Sequence, residues 1–216
     1  MIGSTVARRY DAEMDLCVLR FGAIGTEPLW SPAWIPGSEL AKLRKIGLDG
    51  TPCWIDPIAE GGTPLCQALS DAERLLAGWL RKNSPDLPPT VIVICDGAST
   101  DGEPDAPMTA LRGVMSEAGS TLLFAVQLIE NVDPIIFPTD CELSWGSGYG
   151  CRETEYVRML CRNVSQLSEV QFAASEALGF SLPSRSLNPK GLAVNVTARG
   201  LMAVLATFTN KPTWRR

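Results

Sequence analysis

The chain has 216 residues, a formal net charge of −5, and 45% hydrophobic against 20% charged residues. This balance argues against a disordered chain, and the length suits one sizeable core. The chain has no histidine, which removes imidazole bases, Ser-His-Asp and Cys-His catalysis, and every zinc pattern that needs His.

The nineteen basic residues form no long run, so a nucleic-acid groove is not expected. No apolar run reaches the roughly 18 residues of a membrane span. Seven cysteines (17, 53, 66, 95, 141, 151 and 161) are scattered without a CxxC. They read mainly as small buried apolar residues. Their odd number, without a signal peptide, points to a reducing and hence cytoplasmic compartment. Cys141 and Cys151 flank a Gly-rich loop and are placed to pair or to bind metal.

Residues 1–13 read as a partial first helix or a lead-in segment. Met14 to Gly22 is the first good strand, mostly buried. Gly22 to Pro36 is a loop whose Trp30 and Trp34 are expected to pack onto the core. Gly37 to Leu43 suits a short helix capped by Ser38. Cys53-Trp54-Ile55 suits a short strand near an edge, because Pro52 and Pro57 bracket it and proline cannot donate to a ladder.

The most informative stretch runs from Gly61 to Gly102. Thr63 is placed to cap a helix and Pro64 to open it. Leu65, Ala68, Leu69, Ala72, Leu75, Leu76 and Trp79 recur at three and four residues, the helical period, until Asn83-Ser84-Pro85. Val91 to Cys95 is apolar throughout, as in a strand covered on both faces, and Asp96-Gly97 closes it. Open α/β sheets place ligands at that carboxyl end. A hydroxyl and a carboxylate brought to one sheet edge suit a hard cation such as Mg²⁺; the plainer alternative is a cap and a turn residue.

Further on, a helix is expected over Pro107 to Glu117, carrying Met108, Leu111, Val114 and Met115, with Gly119 as its C-cap. Thr121 to Ile129 is a buried strand, and 131–150 is irregular. GSGYG there lacks the strand-to-helix context of a phosphate loop. Glu153 to Leu178 is helical with a break near Asn163-Val164-Ser165. Gly191 to Val196 is extended. A last helix from Thr197 to Phe208 turns Leu201, Met202, Val204, Leu205 and Phe208 inward, and 209–216 is a tail.

GGTPL at Gly61 to Leu65, paired with VIVICDGASTDG at Val91 to Gly102, resembles the von Willebrand factor A (vWA) domain family. It particularly resembles the bacterial intracellular type found in stress and tellurite-resistance gene neighbourhoods. DLCVLRFG at Asp15 to Gly22 resembles the family's second strand, and TLLFAVQL the strand after the metal loop. The resemblance implies a single α/β domain over 1–216: a doubly wound, mostly parallel sheet with helices on both faces, Rossmann-like and three-layered. It also implies a metal-ion-dependent adhesion site holding Mg²⁺ or Mn²⁺. Thr63 and Asp96 match two of its ligands, with Gly62 and Gly97 in the same loops. Thr100 and Asp101 would orient Asp96 or nearby water.

One part has no match. No DxSxS precedes Asp15, and the central first strand that should carry it is missing from the chain. Three accounts stand: a late start, a partner that supplies the strand and the missing ligands, or a fold that closes up and binds no metal. The expected function is a protein-interaction module of a bacterial stress-related assembly, completed by a partner's acidic residue. Metal binding is expected in roughly the millimolar range or not at all, since an octahedral Mg²⁺ site needs well-placed ligands. The alternatives are a metal-independent structural subunit and a metal-dependent hydrolase using Asp96 and Asp101. The hydrolase is disfavoured because Ser99, Thr100 and Cys66 have no activating base. Neither nucleic acid nor a membrane is an expected partner.

Overall fold

The computed structural model describes residues 14–23, 25–43, 45–46, 52–53, 61–129, 133–141, 151–182 and 184–209. In chain order, β1 (Asp15–Cys17), β2 (Leu19–Gly22), β3 (Gly25–Pro28) and β4 (Trp34–Pro36) lead into a 3₁₀ helix at Gly37–Leu43. Then come β5 (Lys45–Ile46), β6 (Pro52–Cys53), helix α1 (Leu65–Leu80) and β7 (Thr90–Cys95). Helix α2 (Asp105–Gly113) precedes a small hairpin, β8 (Met115–Ser116) with β9 (Gly119–Ser120), and then β10 (Leu122–Gln127) and β11 (Ile135–Ile136). Helices α3 (Cys151–Asn163) and α4 (Glu169–Ala177), strand β12 (Leu192–Val194) and helix α5 (Ala198–Phe208) complete the order.

The main sheet runs β11-β12-β10-β7. β10 is parallel to both β7 and β12, and only the short β11 is antiparallel. Alternation along β10 sets up two cores, since successive side chains point to opposite faces. Leu123 and Ala125 meet Leu65, Leu69 and Leu76 of α1, Met108 and Leu111 of α2, and Val157 and Leu160 of α3. Phe124 and Val126 meet Val204 and Phe208 of α5 on the other side, where the Phe124 and Phe208 rings stack at 4.4 Å. Each such buried Leu or Phe contributes roughly 1.5–3 kcal/mol. The expected α/β layering, a mostly parallel sheet with helices on both faces, is thus present. Helix α4 starts with a full capping box on Ser168 and Gln171, and the Gln171 amide reaches the Phe208 carbonyl of α5 at 3.2 Å.

Several expectations are corrected. Asp15 to Gly22 does not join the main sheet. It splits into β1, paired antiparallel with β4, and β2, paired antiparallel with β3 around Gly25 at φ +97°. These hairpins dock on α1. The Trp79 indole donates to Asp15 at 2.8 Å, Trp34 stacks on Trp79 at 5.3 Å, and the Thr26 hydroxyl donates to Asp71. The Thr26 hydroxyl, followed by Arg74 and Gln67, holds the Asp71 carboxyl down at about 2. With that strand elsewhere, the parallel strands β7, β10 and β12 follow one another in one direction, and a reversal of order among parallel strands, which makes a sheet doubly wound, is not found among the described residues.

Among the described residues β7 lies at an edge of the main sheet, and its faces are less covered than the apolar run predicts. Val91, Ile92 and Val93 are only partly buried, and Ile94 is 40% exposed. Helix α2 ends at Gly113, so Met115 and Gly119 belong to a hairpin, and Met115 lies exposed. The short strand near Cys53 is present as β6 against β5; Trp54 and Ile55 lie outside the described residues, as do residues 1–13 and the GSGYG segment. Cys141 pairs with Cys161, not Cys151, across a Cα separation of 5.5 Å, within the usual disulfide range. Cys161, expected as a small buried apolar residue, is buried but is half of this crosslink to the partly buried Cys141. No helix among the described residues is long and apolar enough to cross a membrane.

Candidate functional site

Two loops meet at the carboxyl end of β7: residues 61–64 before α1 and 96–102 after the strand. They are zipped together through Thr63 and Thr100. The Thr63 N–H donates to the Thr100 hydroxyl at 2.8 Å, and the Thr100 N–H donates to the Thr63 carbonyl at 2.9 Å. Gly62 makes the approach possible with φ +62°, a left-handed conformation that side chains resist. Gly97 lies against the Thr63 side chain, since a Cβ added there would stand 3.1 Å from Thr63 Oγ1.

Asp101 has a different role from the expected one. Its two carboxylate oxygens accept the Cys66 N–H at 3.0 Å and the Gln67 N–H at 2.9 Å. These are the second and third amides of α1, two of the orphan donors that every helix N-terminus presents. Thr63 was the expected cap, but the helix has Pro64 at its N-cap position with no side-chain cap bond. A carboxylate from a loop more than thirty residues away does that work, and it also meets the positive end of the helix dipole. The Ser99 hydroxyl donates to the same carboxylate at 2.9 Å. Burial on its own would raise the Asp101 pKa, but the Gln67 and Cys66 amides and Ser99 outweigh it and hold the carboxyl below the ordinary aspartate range.

The remaining candidates have other fates. Asp96 is exposed, and among the described residues neither its carboxylate nor the Thr63 hydroxyl is engaged in a hydrogen bond. Cys66 lies 3.6 Å from Ser99, and burial, with Asp101 adding to it, pushes its thiol up despite that hydroxyl. It is therefore a poor thiolate nucleophile.

Three polar residues not singled out in the sequence support the edge from below. Buried Gln127 ends β10 and donates to the Gly97 carbonyl at 3.2 Å. Asn195, at φ +49°, exchanges side-chain bonds with the Ile129 backbone at 2.8 and 2.6 Å. The Tyr156 hydroxyl is shut off from solvent beside the Ser99 backbone, and burial, then the nearby Cys95 thiol, pushes its pKa well above the usual tyrosine value. A glutamine closing an otherwise apolar strand was the readable signal for the first of these. Tyr156 gave none.

For a hard cation the donor set is partial but of the right kind. Asp101 and Thr100 are committed to helix and loop, so Asp96 and Thr63 are the oxygens left to offer. Mg²⁺ is commonly held by one or two carboxylates with several waters, and this pair suits that mode. Among the described residues no group of three or more Cys, Asp and Glu side chains gathers into a metal cage. No protein-family model, no curated protein and no solved structure matches the chain.

Proposed function

We propose that the chain is a protein-interaction module of the vWA type. A Mg²⁺ or Mn²⁺ ion would be held by Thr63 and Asp96, and an acidic residue of a protein partner would complete its coordination. The observation that carries this reading is the pair of uncommitted oxygens, Thr63 Oγ1 and the Asp96 carboxylate, on zipped loops at the carboxyl end of a parallel strand. When bound, the ion would supply a positive centre for a carboxylate. The chain's own residues hold the two loops: Thr100 fixes the Thr63 backbone, Gln127 holds the Gly97 carbonyl, and Asp101 anchors the loop to α1.

Calorimetric titration of Mg²⁺ and Mn²⁺ into the wild type and Asp96→Ala tests this. Weak binding, with a Kd of about 1 mM and lost in Asp96→Ala, is the expected result. Equal heats from both proteins would remove the site.

A second reading, a metal-independent structural subunit, is favoured by one feature. β7 has no partner strand on its outer edge among the described residues and presents Ile94 there. Unpaired edges of this kind accept strands from other chains. A partner that donates a strand would leave the isolated chain prone to associate, and a monodisperse monomer by light scattering would count against it.

A further inference from the structure

At the opposite end of the same strands, before β10 and β12 begin, Arg112, Ser120, Thr121, Ser165, Gln166 and Lys190 line a cavity of about 420 Å³. We propose that this cavity binds a small hydroxylated phosphomonoester, with Arg112 and Lys190 holding the phosphate between them.

The fold fixes the Arg112 guanidinium and the Lys190 backbone in place. Arg112 sits in the last turn of α2, where a positive charge complements the helix dipole. Its Nη1 donates to the Asn163 carbonyl at 3.1 Å, so the guanidinium is braced between the carboxyl ends of α2 and α3 with further N–H donors to spare. Lys190 is held by its backbone. Its N–H donates to the Pro138 carbonyl at 2.8 Å, and its bridge to Gln166 places it beside the 165–166 turn. The next residue, Gly191, packs so closely on Phe124 that a Cβ would run into the ring, and its N–H donates to the Ser165 carbonyl at 2.8 Å.

The lining is rich in donors. The Ser165 hydroxyl accepts the Leu123 N–H at 2.9 Å, which leaves its own proton free for a ligand, and the residue is otherwise buried. Gln166 adds an exposed amide. Thr121 and Ser120 are already committed as donors, to the Val114 carbonyl and to the Met115 sulfur. Among the described residues neither Arg112 nor Lys190 is paired with a carboxylate, although the chain as a whole carries a charge of −5. Burial, and then repulsion from Arg112, hold the Lys190 ammonium below the usual lysine range. Two like charges facing one cavity are unfavourable until an anion enters.

Arginine and lysine together suit a phosphate, the first by its fork of donors and the second as a point charge. The volume lies at the lower end of the ~300–1,000 Å³ range of small-molecule sites, with room for more than a bare ion. Among the lining residues only Leu122 is apolar and none is aromatic, which disfavours a stacked base and suits a hydroxylated carbon chain such as a sugar.

The test is calorimetry of the full chain with ribose 5-phosphate, inorganic phosphate and ribose. Ribose 5-phosphate should bind, inorganic phosphate should bind more weakly, and ribose should give no heat. Lys190→Gln and Arg112→Gln should each weaken binding at least about tenfold, the worth of one charge-assisted hydrogen bond, while Lys190→Arg retains it. Thermal melts confirm that each variant is folded, and Lys190→Gln carries the test alone if Arg112→Gln is not. Asp96→Ala should bind as wild type does, which separates this site from the proposed cation site. No heat with ribose 5-phosphate where a millimolar site would saturate, or equal binding by wild type and Lys190→Gln, would overturn the proposal. Binding of inorganic phosphate but not ribose 5-phosphate would overturn the ligand class.

Discussion

The two ends of the main sheet handle charge in opposite ways. At the carboxyl end, the acidic and hydroxyl groups largely satisfy one another and the backbone: Asp101 caps α1, Ser99 bonds Asp101, and Thr100 bonds Thr63. At the amino end, Arg112 and Lys190 face a cavity without a carboxylate partner among the described residues. The motif-rich end is therefore mostly architecture with one hydroxyl and one carboxylate to spare, whereas the end without a motif turns two cations toward a cavity. A polar cluster that completes itself stabilises the fold, and one left incomplete is where a ligand gains most.

One glycine at each end sharpens the contrast most. Gly191 at the amino end has its Cβ direction filled by the Phe124 ring, which is itself stacked on Phe208. Gly191→Ala should therefore overpack a rigid site and lower stability by roughly 2–3 kcal/mol in urea denaturation. Gly97→Ala at the carboxyl end meets only Thr63 Oγ1 at 3.1 Å and should cost less than about 1 kcal/mol. Equal losses would mean that the two ends are packed alike.

Next in size is the helix cap. Asp101→Ala strips two amides of α1 of their acceptor and should cost about 1–2 kcal/mol, with proteolysis appearing first in the 61–64 loop. Asp96→Ala, one strand-end away and unbonded, should stay within about 0.5 kcal/mol of wild type. The reverse ranking would return Asp96 to a structural role and take from the cation site its spare oxygen.

These positions also show what the sequence made legible. Helix α1, strands β7, β10 and β12, and the break after Asn163 follow from local signals: Leu65, Leu69 and Leu76 at helical spacing, unbroken apolar runs, and polar interruptions. Asp15 to Gly22 resembles a strand of the main sheet because its apolar run fits either pairing. What decides its place is Trp79 and Asp71, on a helix more than forty residues away. The role of Asp101 was hidden for the same reason: a carboxylate two residues after Ser99 looks local, while the amides it caps are thirty-odd residues upstream. Spacing cannot pair Cys141 with Cys161 rather than Cys151, and it cannot bring Arg112 to Lys190 at all, since each sits on a different element.

The smallest effect is also the most direct probe of the amino end. Lys190 has its folded-state pKa lowered, so the folded protein holds that proton less well than the unfolded chain does. The penalty on folding is then fully present below the lowered value and is relieved as pH rises towards the ordinary lysine value of 10.5. Lys190→Met removes the charge and keeps an unbranched stem, so at pH 7 it should match or exceed wild-type stability by up to about 0.5 kcal/mol, with the difference fading in alkali. Ribose 5-phosphate should close the gap at pH 7 by stabilising the wild type more than the weaker-binding variant, in proportion to occupancy. Denaturation curves for both proteins at pH 7 and near pH 10.5, with and without the phosphoester, read all three effects. A Lys190→Met protein that is equally destabilised at both pH values would show that the lysine stem packs against the cavity wall, and that the repulsion from Arg112 is too weak to matter.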